Sequence, residues 1–135
     1  MAACTVTAGD VRPLNGAVIR RFDAGGTVSI GDVVYIASDG DVEQADGSAI
    51  GTTLPVIGIA VATPDGGTSA SAGERLDVVV SGPVAGFSSL TPGALGYVSD
   101  TAGKVDTAVG TKDAVVGICE SAAVFFVRPQ LIDFS

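Results

Sequence analysis

Four carboxylates crowd one short stretch of this 135-residue chain: Asp39, Asp41, Glu43 and Asp46. Alternating acids can set oxygens along one side of a loop, as a calcium ion requires. The EF-hand pattern fails here. Its sixth position, a glycine, falls on Gln44, and its twelfth, a glutamate, falls on Ile50. The acids are read as solvated turn formers, and no metal is expected. Glu74 and Asp77 are a second pair of carboxylates, beside Arg75. Two carboxylates could hydrolyse a glycosidic bond. No aromatic platform for a sugar accompanies them, so a mixed-charge solvent face is the plainer reading.

Other chemistries lack their parts. The chain has no histidine, which removes Ser-His-Asp and Cys-His nucleophiles and the commonest metal ligand. No two glycines are separated by a single residue, so no Gly-x-Gly-x-x-Gly dinucleotide loop exists. Gly110-Thr111-Lys112 lacks the Walker spacing. Two distant cysteines, Cys4 and Cys119, cannot alone hold a structural zinc. Two reduced thiols is the simpler reading of them; a bridge from the N-terminal segment to a late strand is the alternative. Neither an enzyme nor a cofactor is expected.

Binding to protein is left. The formal net charge of −8, with 5% aromatic residues, suits neither the counterion exchange of nucleic-acid binding nor base stacking. No apolar run approaches the ~20 residues of a membrane span, and no signal peptide is visible, so assembly in a cytoplasm is expected. Arg12, Arg20, Arg21 and Arg128 are cations near apolar stretches, where a planar guanidinium could pair with acids on a partner. Val6, Leu14 and Phe22 near one end, and Phe126, Leu131 and Phe134 near the other, are further candidate contacts. In a strand Phe125 and Phe126 point to opposite faces. One of them leaves a single-sheet core unless a second layer or another subunit covers it.

The elements that would position these residues are strands. Val and Ile suit a pleated, half-buried surface, and the 19 glycines and 6 prolines punctuate the chain at short intervals. Strands are expected at Ala17–Phe22, Val33–Ala37, Val42–Ala45, Leu54–Ala62, Glu74–Val84, Val115–Glu120 and Ala123–Val127. A turn is expected near Gly82-Pro83, and residues 64–73 read as a mobile loop. Gly96, Gly103, Gly110 and Gly117 recur every seven residues. A coiled-coil seam needs apolar side chains, so these read as turn or bulge positions.

The chain also repeats itself. Gly31-Asp32-Val33-Val34-Tyr35-Ile36, an Asp/Gly turn and Pro55-Val56-Ile57-Gly58-Ile59-Ala60 are matched by Gly93-Ala94-Leu95-Gly96-Tyr97-Val98, a second Asp/Gly turn and Ala114-Val115-Val116-Gly117-Ile118-Cys119. Tyr97 follows Tyr35 by 62 residues, and Gly117 follows Gly58 by 59. The expected fold is all-β, a small β-barrel or β-sandwich of two similar strand-turn-strand halves, with an extended N-terminal arm. Residues 1–25 would be that arm, 26–127 the β domain with its repeat at about 27–62 and 87–121, and 128–135 a C-terminal tail.

The succession Gly31 to Tyr35, Ser38-Asp39-Gly40, Pro55 to Ala60, Gly73 to Val78, Gly82-Pro83-Val84, Pro92-Gly93 with Tyr97-Val98, and Val116-Gly117-Ile118 resembles the small capsid decoration, or cement, proteins of tailed bacteriophages. The resemblance runs from about Gly31 to Val127. It implies a structural virion protein on the outer surface of an expanded capsid, with no catalytic residues, bridging capsomers against internal pressure. It implies the major capsid protein as partner, a homo-oligomer with a trimer favoured, and no nucleic acid or membrane as target. The N-terminal stretch would thread along the capsid. The alternative is a phage or cell-surface adhesion module.

Overall fold

In the computed structural model, residues 4–46, 56–108 and 114–131 are described. They form strands β1 (Thr5–Val6), β2 (Arg12–Pro13), β3 (Val18–Asp23), β4 (Val28–Ser29), β5 (Val33–Ile36), β6 (Val42–Gln44) and β7 (Val56–Ala62). The chain continues through β8 (Ser69–Ala70), β9 (Arg75–Ala85), β10 (Phe87–Ser88), β11 (Leu95–Val98), β12 (Val105–Asp106), β13 (Ala114–Cys119) and β14 (Val124–Leu131). Among the described residues there is no α-helix, only a 3-10 turn at Ala8–Asp10. The fold is all-β. Its main sheet runs β12-β11-β13-β14-β9-β7-β5-β6, with β2 and β3 also on β9, and it curls strongly into a half-barrel.

The repeat is a repeat of register. Val34 pairs with Gly58 and Tyr35 with Val56, with a bulge between Val34 and Tyr35. Gly96 pairs with Gly117 and Tyr97 with Val115, with a bulge at the matching place. The turn bonds repeat too. Gly31 N–H donates to Ala60 O at 2.7 Å, and Gly93 N–H donates to Cys119 O at 2.8 Å. Gly31 and Gly93 both have positive φ, 98° and 86°, which glycine adopts without the penalty of a Cβ.

The equivalence reaches past the recognisable sequence. Ile59 pairs with Val79, which pairs on its other side with Ile19. Ile118 pairs with Phe126, which pairs with Pro83. Thus β14 repeats the first part of β9, and the second part of β9 repeats β3. The first half is β6-β5-β7-β9-β3 and the second is β12-β11-β13-β14-β9. One strand closes the first half and opens the second. Val79 precedes Phe126 by 47 residues, against 59 for Gly58 and Gly117, so the first half carries twelve more residues between β7 and β9.

Three expectations change. The predicted turn at Gly82-Pro83 does not form, and β9 runs on to Ala85. At that point β9 exchanges neighbours, from β7 and β3 to β14 and β2. Gly82 takes φ 114° there, so the local turn signal is used to redirect a strand and not to end it. The loop expected at 64–73 folds back as a flap. β8 pairs with β4, Ile30 N–H donates to Thr68 O at 2.8 Å, and Ala70 is buried. Residues 4–23 are extended as expected of an arm, but they lie docked: β1 pairs with β10, and β2 and β3 line β9. Backbone hydrogen bonding to a long central strand holds them to the domain.

The core is one cluster of small branched side chains around Phe125, which is fully buried and tilted against Phe87 at 5.7 Å between ring centroids. Gly96 makes room for it, since a Cβ there would strike the Phe125 ring. Gly58 and Gly117 serve closer packing still. A Cβ at Gly58 would fall on the Val79 carbonyl oxygen, and one at Gly117 on the Phe126 carbonyl oxygen. Overpacking of this kind displaces backbone, which cannot rotate away as a side chain can. Gly58→Ala and Gly117→Ala are each expected to lower the unfolding free energy in urea by about 3 kcal/mol. Gly9→Ala, with open space around it, is expected to change it by less than about 0.5 kcal/mol.

Candidate interaction surfaces and a buried carboxylate

Cross-strand partners in an antiparallel sheet share a face. Leu95 pairs with Ile118, Ile118 with Phe126, and Phe126 with Pro83. These four apolar side chains make one row across β11, β13, β14 and β9. Leu95 is 40% exposed, and the other three are half-buried. The equivalent row in the first half is Val33, Ile59, Val79 and Ile19. There Val33, Ile59 and Val79 are fully buried, in one core cluster with Val28, Ile30 and Ala70 of the flap. Three of the four members are thus core in the first half, where Ile19 is exposed, and none is fully buried in the second.

A second apolar surface lies where the halves diverge. Ile36, Val56, Ile57, Val80 and Pro129 line an open cleft of about 470 Å³. It forms because β7 and β14 both lie along the same side of β9 and separate near Val80. A third surface is β3, where Val18 and Ile19 are exposed beside Arg20 and Arg21.

The expected contact residues scatter over these surfaces. Arg12, Arg20, Arg21 and Arg128 are exposed, and Phe126 stands in the apolar row. Arg21 Nε donates to Asp77 Oδ1 at 3.1 Å. Leu14 is half-buried, held by its N–H on Pro83 O at 3.0 Å. Val6 and Phe22 pack against the core, because docking of the N-terminal strands turns them inward. Leu131 ends β14, and Phe134 lies outside the described residues. Sequence reasoning missed Leu95, Ile118, Pro83, Val18 and Ile19. Alternation alone marks them as one side of a strand, and only the tertiary fold decides which side is covered.

The acids hold turns and pair across strands. Asp39 Oδ1 accepts from Asp41 N–H at 3.0 Å, fixing the β5–β6 turn. Glu74 Oε1 accepts from Ser71 N–H, and Asp77 is paired with Arg21. Asp65 accepts from the Thr63 hydroxyl and from Gly67 N–H, and the Thr63 bond, then the Gly67 bond, lower its pKa. Among the described residues, no group of three or more His, Cys, Asp or Glu is placed to hold a metal.

One carboxylate that the sequence did not single out is buried. Asp32 is 1% exposed. Its Oδ2 accepts from Gln44 Nε2 at 2.6 Å and from Ser29 N–H at 2.9 Å. Its Oδ1 faces Lys104 Nζ at 3.7 Å and accepts no hydrogen bond. Lys104 comes from the β11–β12 turn of the second half. Gly103 of that turn accepts from Val33 N–H at 2.9 Å and donates to Ala45 O at 2.7 Å. The turn of one half is therefore latched onto the first strand of the other, with Asp32 beneath it. A Cβ on Gly103 would lie 2.8 Å from Asp32 Cγ. The signal for Asp32 was faint, since a lone acid after glycine reads as an ordinary turn residue.

Cys4 and Cys119 are free thiols. Burial, then the charges of Cys119 and Asp106, push the Cys4 thiol up to about 11. Burial also raises Cys119.

No protein-family model matches the chain, and no curated protein matches it. No helix among the described residues is long and apolar enough to cross a membrane.

Two outcomes are expected. Asp32→Ala removes the partner of a half-buried amide and of a lysine, and should cost about 3 kcal/mol in urea unfolding. Lys104→Met, which leaves the hydrogen bonds of Oδ2 intact, should cost about 1 kcal/mol. The Cys4 thiol is neutral in the fold above the pH at which it ionises in the unfolded chain. Its stabilisation is complete below the ordinary value of 9.0 and is lost as pH rises towards about 11. Stability followed by circular dichroism should fall in that alkaline window, and native alkylation by iodoacetamide should stay slow until it is reached.

Proposed function

We propose that this is a structural protein of a tailed-bacteriophage virion, which binds the outer surface of the expanded capsid and stabilises it by bridging capsomers. The major capsid protein is its partner, and a homotrimer is its working form. The observation that carries the reading is the partly open row of Leu95, Ile118, Phe126 and Pro83, since the counterparts of the first three, Val33, Ile59 and Val79, are core in the first half. A side chain type that one copy of the repeat hides, and the other leaves open, fits a face that another protein covers. Among the described residues, the quoted Gly, Val and turn motifs lie on the strands and turns of this duplicated body.

The physics suits many weak contacts. Four partly covered side chains supply less than the ~800 Å² per partner of a standard stable interface. Repetition around an oligomer and over a particle raises the effective concentration of each further contact. Apolar burial also needs no titrating group, so the interaction is expected to be insensitive to pH near neutrality.

Expanded heads of the encoding phage should carry the protein down in a sedimentation assay. Light scattering should give the mass of three chains in solution. Leu95→Glu with Phe126→Glu should reduce that mass to one chain, or release the protein from heads, while leaving its circular dichroism intact. A wild-type protein that stays in the supernatant with expanded heads, and binds glycan or host envelope instead, would replace this reading with the adhesion module.

A further inference from the structure

We propose that β3 is a docking edge that receives an extended, acidic segment of a partner protein as an added strand. Its inner side is bonded to β9. Among the described residues, no strand covers its outer side over Val18–Phe22; β6 closes on its far end, where Ala24 bridges Val42 in parallel and Gly25 N–H donates to Val42 O at 2.8 Å. The repeat supplies the comparison. The second part of β9 occupies the place of β3 in the second half, and there the outer side is covered. Arg12 pairs with Ala85, Pro13 with Val84, and Leu14 N–H donates to Pro83 O. The same strand position takes one more extended segment in one half and lacks it in the other. The uncovered part, Val18–Phe22, is a template for pairing.

The side chains select the occupant. Val18 is 51% exposed and Ile19 is 44% exposed, offering apolar contacts at one end. Arg21 is committed to Asp77 at 3.1 Å, and Asp23 faces Arg75 at 3.8 Å. Arg20 is exposed and forms no ion pair among the described residues, so it is an uncommitted cation on a chain of net charge −8. A second copy fits badly. Antiparallel pairing of β3 with itself through its outer edge, where alternate residues face out, sets Arg20 opposite Arg20 or Arg21 opposite Arg21 in its central registers, and like charges directly opposite are destabilising. A strand with Glu or Asp opposite Arg20, flanked by branched apolar residues, meets both needs. Main-chain hydrogen bonds supply affinity, and the charge fixes register.

The edge stands on the strand pairing alone. Only the identification of its occupant as a capsid segment rests on the function proposed above, and the test separates the two. Blocked peptide Thr-Val-Glu-Val-Thr, titrated into labelled protein, should shift the amides of Val18–Asp23 and slow their hydrogen exchange. Arg20→Glu should weaken this about tenfold. The peptide with Lys in place of Glu should behave as the variant does. No change at β3, or equal binding of both peptides, would overturn the edge. On expanded heads, Arg20→Glu should bind about tenfold more weakly than wild type, and Lys112→Glu, with the same change of charge, should not. Equal loss by both variants would reduce the effect to general attraction and remove β3 as the capsid contact. Wild-type protein that ignores heads while β3 still pairs with the peptide would sink the capsid reading and leave the edge.

Discussion

Everything else in this fold hangs on the eleven residues of β9. Strands β2, β3, β7 and β14 all pair with it. It completes the first half and begins the second, so neither half has its full set of strands without the other. Two demands meet at its centre. The strand must remain continuous, and it must change neighbours. Gly82, with φ 114°, and Pro83, without an N–H to pair, stand where the change occurs. A side chain at Gly82 would meet the backbone of Ala17, so the N-terminal segment lies against the crossing.

Around that strand, steric and electrostatic devices divide the labour. Gly58 and Gly117 let neighbouring backbones approach at equivalent points, which sets the curl in both halves alike. Asp32 works only once, in the first half, because Ala94 takes its place in the second. A buried carboxylate costs desolvation unless it is satisfied. Here Gln44 and Ser29 bond one oxygen, and Lys104 of the other half faces the second at 3.7 Å without a hydrogen bond. Its contribution is better described as fixing the relative setting of the β11–β12 turn than as adding net stability.

The sequence made the local pattern legible. Runs of Val and Ile bounded by Asp-Gly turns gave the strands, and the offsets of Tyr35 with Tyr97 and Gly58 with Gly117 gave the repeat. The alternation of Phe125 and Phe126 predicted that one would leave the core, and Phe125 is the buried member. What escaped was decided at long range. Gly82-Pro83 has the local signature of a turn, and only neighbours on both sides make it a passage within a strand. Residues 64–73 have the composition of a free loop, yet pairing of β8 with β4 gives them a place. Leu95 and Val33 occupy equivalent positions, so no local rule tells that one is open and the other closed. Covering a face is a property of the fold.

That inequality has a consequence for valency. A duplicated domain with two equivalent sticky faces would join whatever lies on either side of it, and at high density it would link one particle to the next. Here the twelve extra residues lie in the half whose row is closed. The molecule keeps the mechanical benefit of a doubled sheet while offering that surface once. Whatever it coats would acquire a covering and remain dispersed.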